Sequence, residues 1–270
     1  MNSKSYNYIM IKQVPLKTFL KRLRSGAYVW LVQIRQLLFP LRKCAACGDF
    51  TPDGGVCDSC RQRISEIRRC KSCASFLGDT KNNSGNNSEK NGKCRNCLGR
   101  RWHFDAANAV LPYSGELKKN LRLFKFNGRV EFARPFTDML FRLAADVYKD
   151  ELFDLVLPVP MHETRLAERG YNQAKLLSDG LRTLLNSDTD MLALICVKPL
   201  PGFAKAGPRE RVALVSGAFS AKAARVGGKR ILLVDDIYTT GATANECART
   251  LKKAGAEFVA VITVAAGTAK

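Results

Sequence analysis

Ile231-Leu232-Leu233-Val234-Asp235-Asp236-Ile237-Tyr238-Thr239-Thr240-Gly241-Ala242-Thr243 decides how this chain is read. Four apolar residues run into two adjacent carboxylates, as expected of a fully buried parallel strand that ends at the ligand-binding edge of an open α/β sheet. The small residues that follow, Thr239, Thr240, Gly241, Ala242 and Thr243, offer hydroxyls, backbone N–H groups and a helix N-terminus. These suit a phosphate. Carboxylates beside a phosphate cradle would repel the ligand unless they bind ribose hydroxyls or a metal that bridges to the phosphates. The plainer alternative is a buried strand followed by an ordinary capped helix.

Outward from this run the text alternates strand and helix. Residues 106–113 read as a strand, 116–126 and 131–148 as helices with apolar stripes, and 154–160 as a short buried strand ended by prolines. Residues 165–185 read as one helix with Ala174, Leu177, Leu181 and Leu184 on a face, and 192–197 as a strand. Two further buried strands, 231–235 and 258–264, flank a helix over 242–254. Such alternation predicts an α/β fold with a mostly parallel sheet and right-handed crossovers. Past Pro158, Arg165 and Arg169 fall near the same sheet edge, where guanidinium groups can bind phosphate oxygens bidentately or simply form a solvated helix face.

The segment before this fold is different. Eight of the ten cysteines form four CxxC pairs: Cys44/Cys47, Cys57/Cys60, Cys70/Cys73 and Cys94/Cys97. A CxxC turn aims two thiolates at one metal, and two turns complete a tetrahedral zinc site. Loops of 9, 9 and 20 residues separate the pairs, so sequential and interleaved pairings both remain open. The segment lacks hydrophobic periodicity, and two structural Zn²⁺ ions are expected to stand in for a core. Four disulfides would need an oxidising compartment. The polar stretch 78–92 is expected to be a surface loop, and the unpaired Cys196 and Cys247 to be small hydrophobes. The expected organisation is a basic amphipathic arm over 1–43, a double zinc ribbon over 44–104 and the α/β domain over 105–270.

The chain carries 44 Lys+Arg against 24 Asp+Glu, and residues 1–104 hold 20 of the basic and 6 of the acidic ones. That electropositive third favours nucleic acid, anionic lipid or an acidic protein. Residues 1–43 have nine Lys/Arg and no acid, with apolar residues at helical intervals from Leu16 to Leu38. Such a helix can lie on a membrane surface, dock on a partner or pack on its own domain. No run approaches the ~18 apolar residues of a membrane span, and no signal-peptide pattern is evident. The expected location is the cytoplasm, with the arm suited to a peripheral contact at the inner membrane.

The run 231–243 resembles the phosphoribosyl-pyrophosphate (PRPP) loop of type I phosphoribosyltransferases, and the chain over roughly 37–267 looks like a member of the ComF family of competence proteins. The resemblance rests on Leu38-Phe39-Pro40 and the cysteine pairs, then Tyr113-Ser114-Gly115 and Leu123-Phe124-Lys125-Phe126-Asn127-Gly128. It continues through Leu157-Pro158-Val159-Pro160-Met161-His162, Arg165-Leu166, Arg169-Gly170-Tyr171-Asn172-Gln173-Ala174 and the loop from Asp235 to Thr243. It implies a type I phosphoribosyltransferase-like parallel sheet flanked by helices, preceded by a small zinc-ribbon module. Asp235 and Asp236 would hold the ribose hydroxyls, and Thr239, Thr240, Gly241, Ala242 and Thr243 the 5′-phosphate. Pro160, Met161 and His162 would shape the pyrophosphate loop, with Arg165, Arg169 or Lys125 reaching the pyrophosphate and Mg²⁺ arriving with PRPP.

The resemblance also implies a role in natural transformation, with single-stranded DNA and a competence helicase as partners. It places residues 203–219 in the flexible catalytic hood of the transferases. There Phe203 stands where the family has Gln and Leu214 where it has Asn. This departure counts against transferase chemistry while leaving PRPP binding intact, and no residue is assigned a catalytic role. An active phosphoribosyltransferase of nucleotide metabolism and a PRPP-sensing regulator are the alternative readings.

Overall fold

The computed structural model describes residues 43–51, 55–77, 89–90, 92–201 and 206–267. The basic arm up to residue 42, most of the polar stretch and Phe203 lie outside the described residues. After a short helix α1 (Asp58–Glu66) the chain runs β1 (Ala106–Pro112), α2 (Gly115–Phe126), α3 (Ala133–Val147), β2 (Leu155–Pro158), α4 (Glu163–Arg169) and α5 (Gln173–Leu185). Then come β3 (Leu194–Cys196), α6 (Pro208–Val215), β4 (Phe219–Ala221), β5 (Arg230–Tyr238), α7 (Ala242–Lys253) and β6 (Phe258–Ala266).

The four long strands make one parallel sheet in the order β1-β6-β5-β2. Side chains alternate across a strand, so each strand feeds two cores. Leu232, Val234, Ala260 and Ile262 meet α2, α3 and α5 through Leu121, Phe124, Phe136, Met139, Leu140 and Leu177 on one face. Ile231, Leu233, Val259 and Val261 meet α7 through Cys247, Ala248 and Leu251 on the other. Leu232 and Leu233 are wholly buried, which explains the uninterrupted apolar reading of β5. Burial of each such side chain contributes about 1.5–3 kcal/mol.

Three elements differ from the sequence reading. The helix expected over 165–185 is two helices. Gly170, at φ 88°, ends α4 in the left-handed region, and the Asn172 side chain caps α5 by accepting from the Ala174 N–H at 3.0 Å. The strand expected over 192–197 narrows to β3, which pairs antiparallel with β4 and stands outside the main sheet. The strand expected over 231–235 runs on to Tyr238, because β6 keeps pairing with it as far as Tyr238↔Ala266.

The cysteine segment does not keep to itself. Ala45, Val56, Cys60 and Ile64 join the α2/α3 core, whereas Cys70, Cys73, Phe76, Cys94 and Cys97 join the α7 core. The module therefore straddles the edge strand β1. Between its halves, the Arg69 guanidinium donates to the Ala109 carbonyl (2.8 Å) and the Val110 carbonyl (3.0 Å) of β1, and to the Ile64 and Ile67 carbonyls. Among the described residues no helix is long and apolar enough to cross a membrane.

Candidate functional site

Two constellations emerge, one of sulfur and one at the sheet edge. The sulfurs of Cys44, Cys47, Cys57 and Cys60 lie within 4.8 Å of one another, as do those of Cys70, Cys73, Cys94 and Cys97. The pairing is therefore sequential rather than interleaved. Cys47 and Cys57 sulfurs are 3.6 Å apart and those of Cys73 and Cys94 3.7 Å. A tetrahedron with metal–sulfur bonds of about 2.3 Å has edges of about 3.8 Å, so both groups fit a zinc ion. Backbone N–H groups of Ser72 and Cys94 point at the Cys70 sulfur (3.4 and 3.2 Å), and that of Cys57 at the Cys44 sulfur (3.4 Å). Such donors stabilise metal-bound thiolates. Of the two remaining cysteines, Cys247 is fully buried and Cys196 half-buried.

At the carboxyl end of β5 a cleft of about 840 Å³ opens. The structure brings Lys125, Pro160, Met161, His162, Arg165, Arg169, Asp235, Asp236, Thr239 and Thr243 to its walls. Thr240, Gly241 and Ala242 build the turn behind them. The Thr240 hydroxyl accepts from the Ala242 N–H at 3.4 Å, and Gly241 adopts φ 75° as the N-terminal cap of α7. A side chain at Gly241 would drive into the Tyr238 ring, 2.6 Å from its Cζ, so only glycine fits this turn. The 12-residue α7 presents its positive end to the cleft beside these residues.

The two carboxylates differ. Lys125 Nζ, at the end of α2, donates to both oxygens of Asp236 at 3.1 and 2.8 Å. Burial pushes the Asp236 carboxyl up, but the Lys125 charge and hydrogen bond outweigh it and hold it below the usual carboxylate range. Burial, then the negative charge of Asp236, push Asp235 up to about 8. One member of the pair is ionised and the other keeps its proton near neutrality. A cationic or hydroxyl-bearing ligand fits this pair, because it can replace the proton or donate to the carboxylates.

The flanking residues are held in place. Asn172 donates to the Val159 carbonyl at 3.1 Å, and Gln173 donates to the Lys125 carbonyl at 3.0 Å while accepting from Arg169 at 2.8 Å. Arg165 donates to the Leu200 carbonyl at 2.9 Å. His162 caps α4 by accepting from the Thr164 N–H. Among the cleft residues to which the sequence reading gave no site role are Tyr113, Phe126, Glu168, Leu200 and Arg211. Phe126 is 66 % exposed, with the Arg169 guanidinium 5.3 Å over its ring. An exposed phenylalanine between lysine and asparagine leaves no periodicity signal to find it by.

Comparison with known proteins agrees with this fold. Residues 186–270 match a family model described as a phosphoribosyl transferase domain. Competence protein ComFC of Bacillus subtilis is 32% identical over 212 residues, spanning 76% of this chain and 80% of that protein. Competence protein F of Haemophilus influenzae is 28% identical over 214 residues, spanning 77% and 88%. The DNA utilization protein YhgH of Escherichia coli is 28% identical over 171 residues, spanning 62% and 75%.

Proposed function

Because the chain belongs to the ComF family of competence proteins, we propose that it binds PRPP, or a related phosphoribosyl ligand, together with single-stranded DNA during DNA uptake. The observation that carries the ligand is the convergence on one cleft of the Asp235–Asp236 pair, the Thr239–Thr243 turn and three cations, Lys125, Arg165 and Arg169. The carboxylates would take the ribose hydroxyls, the turn the 5′-phosphate and the cations the pyrophosphate. Mg²⁺ would be held by the pyrophosphate and the carboxylate edge. The zinc module and the basic first third would meet DNA or a helicase at the cytoplasmic face of the inner membrane.

Titration calorimetry with PRPP and Mg²⁺ tests the cleft. Hydrogen bonds to charged groups are worth about 1.5–3 kcal/mol each, so Asp235→Ala/Asp236→Ala should lose at least about 100-fold in affinity. Circular dichroism would check that the variant is folded. A wild-type protein that binds no PRPP would sink the reading.

The DNA arm has its own test. Phosphate contacts release counterions, and five contacts on a single strand would weaken binding about 500-fold between 50 and 300 mM salt. Fluorescence anisotropy with a labelled oligonucleotide would measure the slope, and an affinity indifferent to salt rules the electrostatic contact out.

A further inference from the structure

The Cys70–Cys73–Cys94–Cys97 cluster lies directly behind the phosphate turn, joined to it by residues that follow the last cysteine. The Trp102 indole N–H donates to the Cys97 sulfur at 3.3 Å. Its ring stacks on Phe104 (centroids 5.0 Å apart, 17° between planes) and meets Tyr238 edge-on at 6.4 Å. A Cβ on Gly241 would stand 3.0 Å from Trp102 Cζ3. Trp102 and Tyr238 thus form the floor on which Gly241 rests. The Arg100 guanidinium covers the indole at 3.9 Å. The next residue repeats the tie: the His103 N–H donates to Asn245 Oδ1 at 2.8 Å, and the Asn245 N–H donates to the Gly241 carbonyl at 2.8 Å.

We infer that Trp102 is a positioning residue that couples occupancy of the second cysteine cluster to the conformation of the phosphate turn. The thiolate of a metal-bound cysteine is a good acceptor for the indole N–H, and partners of this kind orient what lies around a metal site. With the cluster loaded, Cys97 holds the indole, the indole holds the Gly241 turn, and the α7 amides keep their aim. With the cluster empty, the indole loses its anchor and the turn its floor. Coupling of this kind is reciprocal, so a ligand seated in the turn must also retard loss of the metal. The first cluster packs elsewhere: Asn120 of α2 donates to the Ala45 carbonyl at 3.1 Å, on the opposite face of the sheet.

The ligand half of this coupling rests on the reading of the cleft as a phosphate site, but the turn can be watched without ligand. In full-length zinc-loaded protein, Trp102→Ala should speed hydrogen exchange of the backbone over 239–243 at least tenfold. Peptides of α5 should keep their wild-type rate. Trp102→Phe, which keeps a ring but not the N–H, should fall between. Zinc release to a chelator should be faster in Trp102→Ala, and PRPP with Mg²⁺ should slow release from wild type but not from the variant. Wild-type exchange in Trp102→Ala would overturn the inference. So would equal acceleration throughout the chain, which is mere destabilisation. Should wild type bind no PRPP while the turn still responds to Trp102, the coupling stands and the ligand assignment falls.

Discussion

A Cys70→Ser/Cys73→Ser chain is expected to lose its cooperative fold, whereas a Cys44→Ser/Cys47→Ser chain is expected to keep one. The difference follows from where the clusters sit. The four sulfur residues of the second cluster are 1–3 % exposed and share a core with Ile231, Leu233, Val259 and Val261 of the sheet. In the first cluster Cys47 is exposed and Cys57 half-buried. A structural zinc ion contributes about 10–16 kcal/mol of apparent folding energy to a small zinc unit, comparable to the 5–15 kcal/mol that holds a typical domain together, and only the second cluster shares its core with these sheet residues. The Cys70/Cys73 variant also leaves two thiols and two hydroxyls in a core shaped around an ion. The experiment is urea unfolding followed by circular dichroism, with zinc counted per chain. Two zinc ions are expected in wild type and one in the Cys44/Cys47 variant, with a lowered but sigmoidal transition. A sigmoidal wild-type-like melt of the Cys70/Cys73 variant would show that the metal does not hold this face of the sheet.

Lys125→Met is expected to cost about 3–5 kcal/mol at pH 7, because it leaves a buried carboxylate without its cation. The Asp236 side chain is 5 % exposed and its near oxygen lies 2.8 Å from Lys125 Nζ. The sign of the pH dependence follows from the direction of the shift. With Lys125 present, Asp236 titrates below its unfolded value. Its contribution is therefore present above the ordinary carboxylate range and lost as pH falls through the folded value. Without Lys125, burial raises Asp236, and the variant loses stability as pH rises. The difference between the two proteins should be large at pH 7 and shrink toward pH 4. Asp235, raised to about 8 by burial and the Asp236 charge with Lys125 opposing the rise, weakens both proteins as pH climbs toward that value. Urea melts at three pH values measure this. A pH-independent difference below about 1 kcal/mol would contradict the account. A Lys125→Met/Asp236→Leu chain should recover much of the loss, since replacing both partners removes the stranded charge.

Much of this was legible in particular residues. Ile231 to Val234 announced a strand buried on both faces because both faces carry core, and the paired acids stand at the end of it that opens on the cleft. The cysteine spacing announced two four-sulfur groups. What spacing left open, sequential against interleaved pairing, was decided by three-dimensional proximity. The break between α4 and α5 had a local signal in Gly170 and Asn172, masked by the strong apolar stripe that follows. The reach of β5 to Tyr238 had none, because its pairing with Ala266 is a tertiary fact. Trp102 was equally silent, because its contacts with Tyr238 and Gly241 join residues distant in sequence.

Arg69 has a further consequence. Parallel sheets end in edges whose free carbonyls and amides invite another chain to add a strand. Here β1 is such an edge, and one half-buried guanidinium occupies two of its carbonyls while gripping the turn between the cysteine clusters. Carbonyls that an added strand would need are thereby taken up by the segment that carries the two cysteine clusters. Loss of that segment's fold would bare the flank of the sheet, so the unfolding expected of the Cys70→Ser/Cys73→Ser chain should be accompanied by strand-to-strand aggregation.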